Sequence, residues 1–244
     1  GTMSSEFASS IIKKLLPQHY HALLFPLLFE SNPNQNFTDI IDYFYSINSD
    51  AMIEASTISN GLHLCSSISP EYWLEHCTNA LRAIQKHNFK KAIFYIKSSL
   101  AIPRRYGDTH QIDSFREQFT KVFELLNAKN LDSINMLKKL YSCLKSYLNS
   151  THSLSMNHIS PELAKLRNSC IAVPGTYKFG YSIVKISLFD PSLEIYHSKQ
   201  RPRFLIIYGN DGSRHRSLLK GREDVRLDQR LMQFFKLINQ HVSH

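Results

Sequence analysis

The residue types best suited to chemistry lie near the end of the chain, in residues 218–239, LLKGREDVRLDQRLMQFFKLIN. A short apolar run there ends on Lys220, and Gly221 follows it. Carboxylates come next, at Glu223 and Asp228. Acidic side chains are stabilising in the first turns of a helix, so this pattern predicts that a helix begins after Gly221. An ammonium group leaving a strand and carboxylates opening the next helix can converge on one point, an arrangement that suits nucleotide phosphates.

The rest of this segment has the apolar periodicity of a helix. Its apolar residues recur at helical spacing and form one face, made of Leu231, Phe234, Phe235, Ile238 and Val242. Spacing alone favours an ordinary strand, turn and helix with a solvated charged face, since lysines and acids are common at helix starts. A phosphate-binding lysine oriented by a neighbouring carboxylate is the second interpretation.

Three segments resemble the phosphatidylinositol-3-kinase-related protein kinases, and they occur in that family's order. Residues 218–239 resemble its K-G-x-E-D-x-R-x-D-x-R-x-M-Q-x-F-x-x-x-N segment. SKQRPR (198–203) resembles the family's substitute for a glycine-rich loop. ISPELAKLRNSCIAVPGTY (159–177) resembles the linker into the kinase domain, most closely that of the target of rapamycin (TOR) kinases. The nonsense-mediated-decay kinase of the same superfamily shares a leucine at Leu227, but its loop differs from residues 198–203.

The resemblance implies roles for individual residues. Lys220 matches the lysine that contacts the nucleotide phosphates. Glu223 and Asp228 match the acidic positions that orient this lysine and bound the nucleotide pocket. Ser198 and Gln200 match the loop that covers the phosphates. ATP and Mg²⁺ are therefore the implied ligands of a parent kinase, and neither is expected to be bound to this fragment alone.

Catalytic residues of that family are not expected in this chain. Phosphoryl transfer needs a catalytic-loop base and an aspartate that holds Mg²⁺, both from the C-terminal lobe. Neither follows Lys220 before the chain reaches His244, so we expect the chain alone to have no kinase activity. The sequence GSRH (212–215) echoes the family's catalytic GDRH, but it precedes Lys220 and has a serine in place of the aspartate. We interpret it as part of a hairpin.

Composition excludes several classes of protein. Hydrophobic residues make up 43% of the 244 residues and charged residues 20%, which indicates a folded chain and not a disordered tail. The four cysteines lack C-x-x-C spacing and the histidines lack H-x-x-x-H spacing, so no metal site is predicted and reduced thiols indicate a cytoplasmic location. There is no apolar run of 18 residues and no Gly-x-Ser-x-Gly motif, so neither a membrane span nor hydrolase chemistry is predicted.

Apolar periodicity predicts a mainly α protein with a small α+β part. Residues 4–52 have the pattern of helices with breaks at Pro17 and Pro26. HYHALLFPLLFES (19–31) resembles the last helices of the TOR solenoid, so the resemblance assigns residues 4–52 to the C-terminal end of that helical (FAT) region.

Residues 53–150 are predicted to form an antiparallel four-helix bundle, since the connections between helical patterns are short. The first helix begins near residue 53 and continues through Trp73 after a kink or loop at 66–70. The other three cover residues 89–102, 112–126 and 131–148.

Residues 151–244 are predicted to form a linker with a short helix at 161–168, a small antiparallel sheet and the closing helix. The strands are predicted at 182–188, 193–196, 204–208 and 217–220. Asn210-Asp211-Gly212 is a strong hairpin turn signal between the last two. This make-up is that of a partial kinase N-lobe.

The last bundle helix carries two apolar stripes, although a bundle helix needs only one. The first consists of Ile134, Leu137, Tyr141, Leu144 and Leu148, and the second of Met136, Leu140, Cys143 and Tyr147. A wide buried face explains the pattern, and so does a buried stripe beside an exposed groove.

In TOR kinases this position holds the FKBP-rapamycin-binding (FRB) bundle. By the resemblance, three aromatic positions that contact the drug fall on Leu137, Tyr141 and Leu144, and two positions of the first helix fall on Ala80 and Ile84. The first stripe would then be the groove and the second the core. Leucine replaces tryptophan and phenylalanine here, and losing such a contact costs about 2 kcal/mol or more. We therefore predict weak or absent rapamycin binding.

The resemblance also implies partners. The bundle would recruit protein substrates or TOR-complex subunits and gate the ATP cleft, Lys145 would occupy a basic position linked to acidic lipid, and nucleic acid is not expected. Two alternatives stay open. A stand-alone basic helical module that binds nucleic acid or acidic membrane explains the net charge of +9 but not the motif around Lys220. Phosphorylation of a lipid is the second.

Overall fold

A computed structural model describes residues 2–28, 35–105, 108–221 and 238, with side chains described from residue 7 and, after the first gap, from residue 38. In the described residues the chain is mainly helical with one small antiparallel sheet, as predicted. The helices are α1 (Thr2–Leu28), α2 (Gln35–Ile47), α3 (Ser49–Ser66), α4 (Ser69–Gln85), α5 (Phe89–Leu100), α6 (His110–Asn127), α7 (Asp132–Ser150), α8 (Met156–Ile159) and α9 (Pro161–Lys165). The strands are β1 (Ser153–Ser155), β2 (Ile186–Phe189), β3 (Ser192–Ile195), β4 (Arg203–Gly209) and β5 (Arg214–Leu219).

Helix α1 differs from the prediction of separate helices broken at the two prolines. It runs on through Pro17 and Pro26 and departs from helical geometry only at His19, with φ −121° and ψ 20°. Proline lacks a backbone N–H and crowds the preceding turn, so a kink close to Pro17 is the expected response of a helix that tertiary packing keeps intact.

Helices α4–α7 form the four-helix bundle. The turn between α4 and α5 uses His87 at φ 55°, and the turn between α6 and α7 uses Lys129 at φ 54°. At the bundle's centre the indole Nε1 of Trp73 donates to the Ser99 carbonyl at 3.1 Å. The core that these helices share includes Trp73, Cys77, Ala80, Ile84, Ala92, Ile96, Phe115, Phe119, Val122, Leu126, Leu137, Leu140 and Leu144.

The predicted break at residues 66–70 separates α3 from α4, and the two helices serve different cores. The buried side chains of α3 pack with α1, α2, the short helices α8 and α9, and the sheet. This second core includes Leu16, Leu24, Phe44, Ile58, Leu62, Cys65, Met156, Leu163, Ile171, Ile186, Phe189, Leu193, Leu205 and Ile207. Residues 53–66 therefore pack with the sheet, although the sequence assigned them to the bundle.

Strand β4 is the centre of the sheet. It pairs along its whole length with β5 on one side, and on the other side with β3 at one end and β2 at the other, all antiparallel. The hairpin predicted at 210–212 joins β4 to β5, with Gly212 at φ 81°. Strand β1, which the sequence did not predict, pairs with β3. No helix in the described part of the chain is long and apolar enough to cross a membrane.

Candidate functional site

The loop between β3 and β4 contains two of the residues assigned to phosphate binding. Its backbone closes on itself, because the Tyr196 N–H donates to the Pro202 carbonyl at 2.9 Å and the Arg201 N–H donates to the Ser198 carbonyl at 3.2 Å. Arg201 has φ 52°, a left-handed conformation that is rare outside glycine. The loop therefore has a definite turn geometry, although it contains no glycine.

Lys220 lies directly after β5, beside this loop. In the sheet, Leu219 is paired with Arg203, the first residue after the loop. A cavity of about 370 Å³ lies between the loop and the end of β5 and is lined by Tyr196, Ser198, Lys199, Gln200, Pro202, Phe204, Leu218 and Lys220. The structure thus brings Ser198, Gln200 and Lys220 to one cavity. Glu223 and Asp228 lie outside the described residues.

The cavity offers a mixture of cationic donors and aromatic surface. The Lys220 ammonium, the Ser198 hydroxyl and the Gln200 amide can all donate to phosphate oxygens. One wall is formed by Phe204, whose ring centroid lies 6.1 Å from that of Tyr196 and 3.9 Å from the Arg216 guanidinium. The described lining residues include no carboxylate, so they do not form a Mg²⁺ site by themselves, since Mg²⁺ is usually bound through carboxylates and phosphates.

The end of α3 fixes the position of Lys220. Gly221 is buried against Ser66, the last residue of α3. A Cβ added to Gly221 would overlap the Ser66 carbonyl oxygen and lie 2.9 Å from both the Ser66 carbonyl carbon and its Oγ. Only a glycine lets the strand end approach the helix this closely, so the contact sets where the lysine leaves the sheet.

A buried ion cluster joins the loop to the bundle. The Glu71 carboxylate, on the first turn of α4, accepts from Arg203 Nη2 at 2.8 Å through each oxygen, and from Arg201 Nε at 3.1 Å. Arg201 Nη2 donates to the Thr151 carbonyl at 3.1 Å, and Arg203 Nη1 donates to the Arg201 carbonyl. Side-chain exposure is 1% for Glu71 and 0% for Arg203. Sequence reasoning missed this cluster, because its acid lies 130 residues from its nearer arginine.

A second cavity lies on the bundle side of the same loop. It has a volume of about 540 Å³ and is lined by Glu71, Leu74, Glu75, Thr78, Asn79, Arg82, Tyr141, Leu148, Lys199, Gln200 and Arg201. Lys199 and Gln200 line both cavities. The loop is therefore a shared wall between the candidate phosphate site and the surface of helices α4 and α7.

The apolar stripe predicted to form an exposed groove lies in the bundle core. Leu137 and Leu144 are fully buried, as is Ala80, while Ile84 is 9% exposed. The prediction that Leu137 and Leu144 line a groove open to solvent is therefore wrong, whereas Tyr141 and Ile134 of the same stripe are half-buried. In the second stripe, predicted to be core, Leu140 is buried but Cys143 is exposed.

The physical reason is that the two stripes of α7 merge. Leu137, Leu140, Leu144 and Leu148 follow 3–4-residue spacing, and together they fill one buried face. The outward face of α7 carries Lys138, Ser142 and Lys145 instead. Whether Leu137, Tyr141, Leu144, Ala80 and Ile84 correspond to drug-contacting positions stays a prediction. Lys145 is exposed, as a lipid-contacting residue would need to be.

Cys65 and Cys77 are buried thiols. Burial raises the pKa of the Cys65 thiol to about 12, and burial also raises the pKa of Cys77 well above its ordinary value. Both thiols are therefore protonated and unsuited to nucleophilic attack. Within residues 2–28, 35–105 and 108–221, no three histidine, cysteine or acidic side chains are grouped to hold a metal ion.

Comparisons with known proteins point to one kind of kinase. No protein-family model matches the chain. Over 96% of its length it is 28% identical to the serine/threonine-protein kinase TOR of Arabidopsis thaliana. Over 94% of its length it is 30% identical to the serine/threonine-protein kinase TOR2 of Saccharomyces cerevisiae. Over 59% of its length it is 31% identical to the serine/threonine-protein kinase Smg1 of Drosophila melanogaster.

The similarity to the TOR kinases of Arabidopsis thaliana and Saccharomyces cerevisiae covers nearly the whole chain. The chain belongs to the phosphatidylinositol-3-kinase-related kinase family. Within that family it corresponds to a segment of the TOR kinases, which match it over more of its length than Smg1 does. The chain spans 10% of the length of the plant and yeast TOR kinases and 5% of Smg1.

Proposed function

We propose that this chain is the part of a TOR-type serine/threonine kinase that binds the nucleotide phosphates from the N-lobe side. The observation that carries the proposal is the cavity shared by Lys220, Ser198 and Gln200. Lys220 supplies a cation for the phosphates, and the loop supplies hydroxyl and amide donors over them. When bound, Mg²⁺ would neutralise phosphate charge, held by residues outside this cavity.

An acyl phosphate of ATP tests this proposal, since it transfers its acyl group to an amine beside the bound phosphates. In the full-length protein that carries this segment, Lys220 should be acylated, and free ATP should suppress the labelling. The Lys220→Arg variant should lose the labelled peptide. Lys165, an exposed lysine at the end of α9, serves as the matched control and should label weakly and without ATP competition. Equal, ATP-independent labelling of Lys220 and Lys165 would refute the phosphate site.

For the bundle, we propose that its surface beside the loop gates the nucleotide cleft and recruits protein substrates or TOR-complex subunits. The second cavity supports this role, because it places α4 and α7 against the outer side of the phosphate loop. The outward face of α7 carries Lys138, Ser142 and Lys145 and presents no large aromatic side chain at these positions. An immunophilin–rapamycin complex should therefore bind the chain weakly or not at all.

Calorimetry with the immunophilin–rapamycin complex measures that affinity directly. A dissociation constant tenfold to a thousandfold above that of a yeast TOR bundle measured in parallel is expected, which is about 1.4–4 kcal/mol of lost binding free energy. Equal affinity for the two bundles would contradict the proposed surface. Acidic vesicles, with Lys145→Ala as the variant, test the lipid role in the same preparation.

A further inference from the structure

The phosphate loop is held from outside the sheet, by a carboxylate of the bundle. We propose that Glu71 is a positioning residue for nucleotide binding, which fixes the loop of residues 198–201 in the form that lines the cavity. This inference rests on the proposed function, because it assigns a second task to the same site. Glu71 does not line the 370 Å³ cavity, so it would act only through the loop.

The geometry of the cluster makes Glu71 the fixed point. It is buried near the start of α4, a helix packed into the bundle core through Trp73 and Cys77. Two guanidinium groups converge on it, and they flank Pro202 at the exit of the loop. A single carboxylate therefore holds both the last turn of the loop and the first residue of β4. Arg203 Nη2 contacts both oxygens of the carboxylate and Arg201 Nε contacts Oε1, and such charge-assisted hydrogen bonds are stronger than neutral ones.

The loop needs such an anchor because of its backbone conformation. Arg201 is left-handed, at φ 52°, although its side chain makes this conformation unfavourable. Its backbone is held within the loop, where the N–H donates to Ser198 and the carbonyl accepts from Arg203 Nη1. Its side chain reaches the bundle and its C-terminal end, through Nε to Glu71 and through Nη2 to the Thr151 carbonyl. Without them, Arg201 would be expected to relax to a right-handed or extended conformation, and the loop would shift with it.

Such a shift would move the residues that face the phosphates. Gln200 and Lys199 immediately precede Arg201, and both line the nucleotide-side cavity. Ser198 accepts the Arg201 N–H through its carbonyl and, at 3.3 Å, through its hydroxyl. Moving a donor out of reach of a charged phosphate oxygen costs roughly tenfold or more in affinity for each hydrogen bond lost. Loss of the Glu71 anchor should therefore lower nucleotide affinity without removing any group that contacts the nucleotide.

The test uses the full-length protein and the same acyl phosphate probe. Glu71→Gln keeps the size of the side chain and removes its charge. We expect the ATP concentration that halves Lys220 labelling to rise by roughly tenfold or more in this variant. Where turnover is measured, KM for ATP should rise while kcat changes much less, since the reacting groups are untouched. Glu71→Asp, which keeps the charge, should recover part of the affinity.

Two variants separate positioning from folding. Glu117→Gln removes the same charge from an exposed side chain of α6 that lines neither cavity, and it should leave ATP competition unchanged. Arg201→Gly removes the loop's contacts to Glu71 and Thr151 but suits a left-handed backbone, so it should fold and still lose affinity. If Glu71→Gln fails to fold, the ATP concentration that halves Lys220 labelling in Arg201→Gly is the test: a rise supports the positioning role, and the wild-type value overturns it.

The outcomes are distinguishable from failure of the proposed function. If wild-type Lys220 labels without ATP competition, the phosphate site itself is refuted. If wild-type labelling is competed by ATP and both Glu71→Gln and Arg201→Gly compete at the wild-type concentration, the phosphate site stands and the positioning role of Glu71 is overturned.

Discussion

Replacing Gly221 by alanine tests how closely the strand end must approach α3 for Lys220 to reach its place. The new methyl group would overlap the Ser66 carbonyl oxygen, which is a backbone atom and cannot turn away as a flexible side chain does. Either α3 or the end of β5 must move. We expect Gly221→Ala to destabilise the chain and to displace Lys220 from the cavity.

The magnitude follows from what overpacking costs in well-packed regions. Inserting a methyl group there destabilises a protein by about 1–3 kcal/mol. For a chain of this size that corresponds to a fall in Tm of roughly 2–12 °C. The sign is informative, because alanine in place of glycine without a clash stabilises by about 0.4–1 kcal/mol through the unfolded chain. The contact with Ser66 therefore predicts that Gly221→Ala lowers the free energy of unfolding, whereas chain entropy alone would raise it.

Urea unfolding followed by circular dichroism measures the stability, and ATP-suppressed acylation of Lys220 measures the displacement. Ser66→Ala removes the Oγ contact but leaves the carbonyl, so combining it with Gly221→Ala should restore only part of the loss. Gly175→Ala is a useful comparison, since no atom lies within 4 Å of its added Cβ and only its φ of 83° opposes the change. If Gly221→Ala were as stable as wild type or more stable, the close contact that positions Lys220 would be refuted.

Two further perturbations follow from buried side chains. Burial, and after it the charge of Lys185, lowers the pKa of His21, whose Nδ1 accepts the Ala172 N–H at 3.2 Å. The unfolded chain then binds the proton more readily than the folded chain does. The stabilisation from His21 is therefore complete above about pH 6.5 and is lost as the pH drops below it. In urea unfolding from about pH 7.5 to 5.5, the free energy of unfolding should fall less for His21→Gln than for wild type. Trp73→Phe removes the hydrogen bond to the Ser99 carbonyl and should cost roughly 1–3 kcal/mol in the same assay, and a change under 0.5 kcal/mol would contradict it.

Local patterns in the sequence predicted most of the elements. Helices α5, α6 and α7 repeat apolar residues at 3–4-residue spacing and were predicted to within a few residues of their bounds, whereas the first bundle helix was predicted to begin near residue 53 and α4 begins at Ser69. The hairpin at 210–212 was predicted from its Asn-Asp-Gly signal alone. Strand β1 was missed because three residues, of which only Leu154 is apolar, carry no period, and only pairing with β3 makes them a strand.

The burial of α7 could not be predicted in the same way. Leu137 and Leu144 belong to one apolar stripe and Leu140 to the other, and sequence gives no reason to prefer either as the core. Packing against α4 and α6 selects the face between them. The resemblance matched Leu137 and Leu144 to aromatic positions of an exposed groove, and the structure buries both leucines.

In the candidate site too, individual residues could be assigned from the sequence, but contacts between residues far apart in the chain could not. The resemblance assigned Ser198, Gln200 and Lys220 one by one, and the structure brings all three to one cavity. Glu71 was not singled out, because an acid on the first turn of a helix is ordinary in sequence. Its partners Arg201 and Arg203 lie 130 and 132 residues away, and no sequence pattern predicts contacts over that separation.

The junction between the two cores explains why the bundle can serve as a fixed part of the site. Apolar faces alone hold two bodies together without fixing their register. Arginine side chains cross this junction and donate hydrogen bonds to backbone carbonyls: Arg105 to those of Leu64 and Ser67, and Arg201 to that of Thr151. Glu71 receives the remaining guanidinium contacts in a buried environment, where removing one partner of an ion pair costs about 3–5 kcal/mol. Because these contacts are directional, we expect a movement of α4 to displace the loop of residues 198–201.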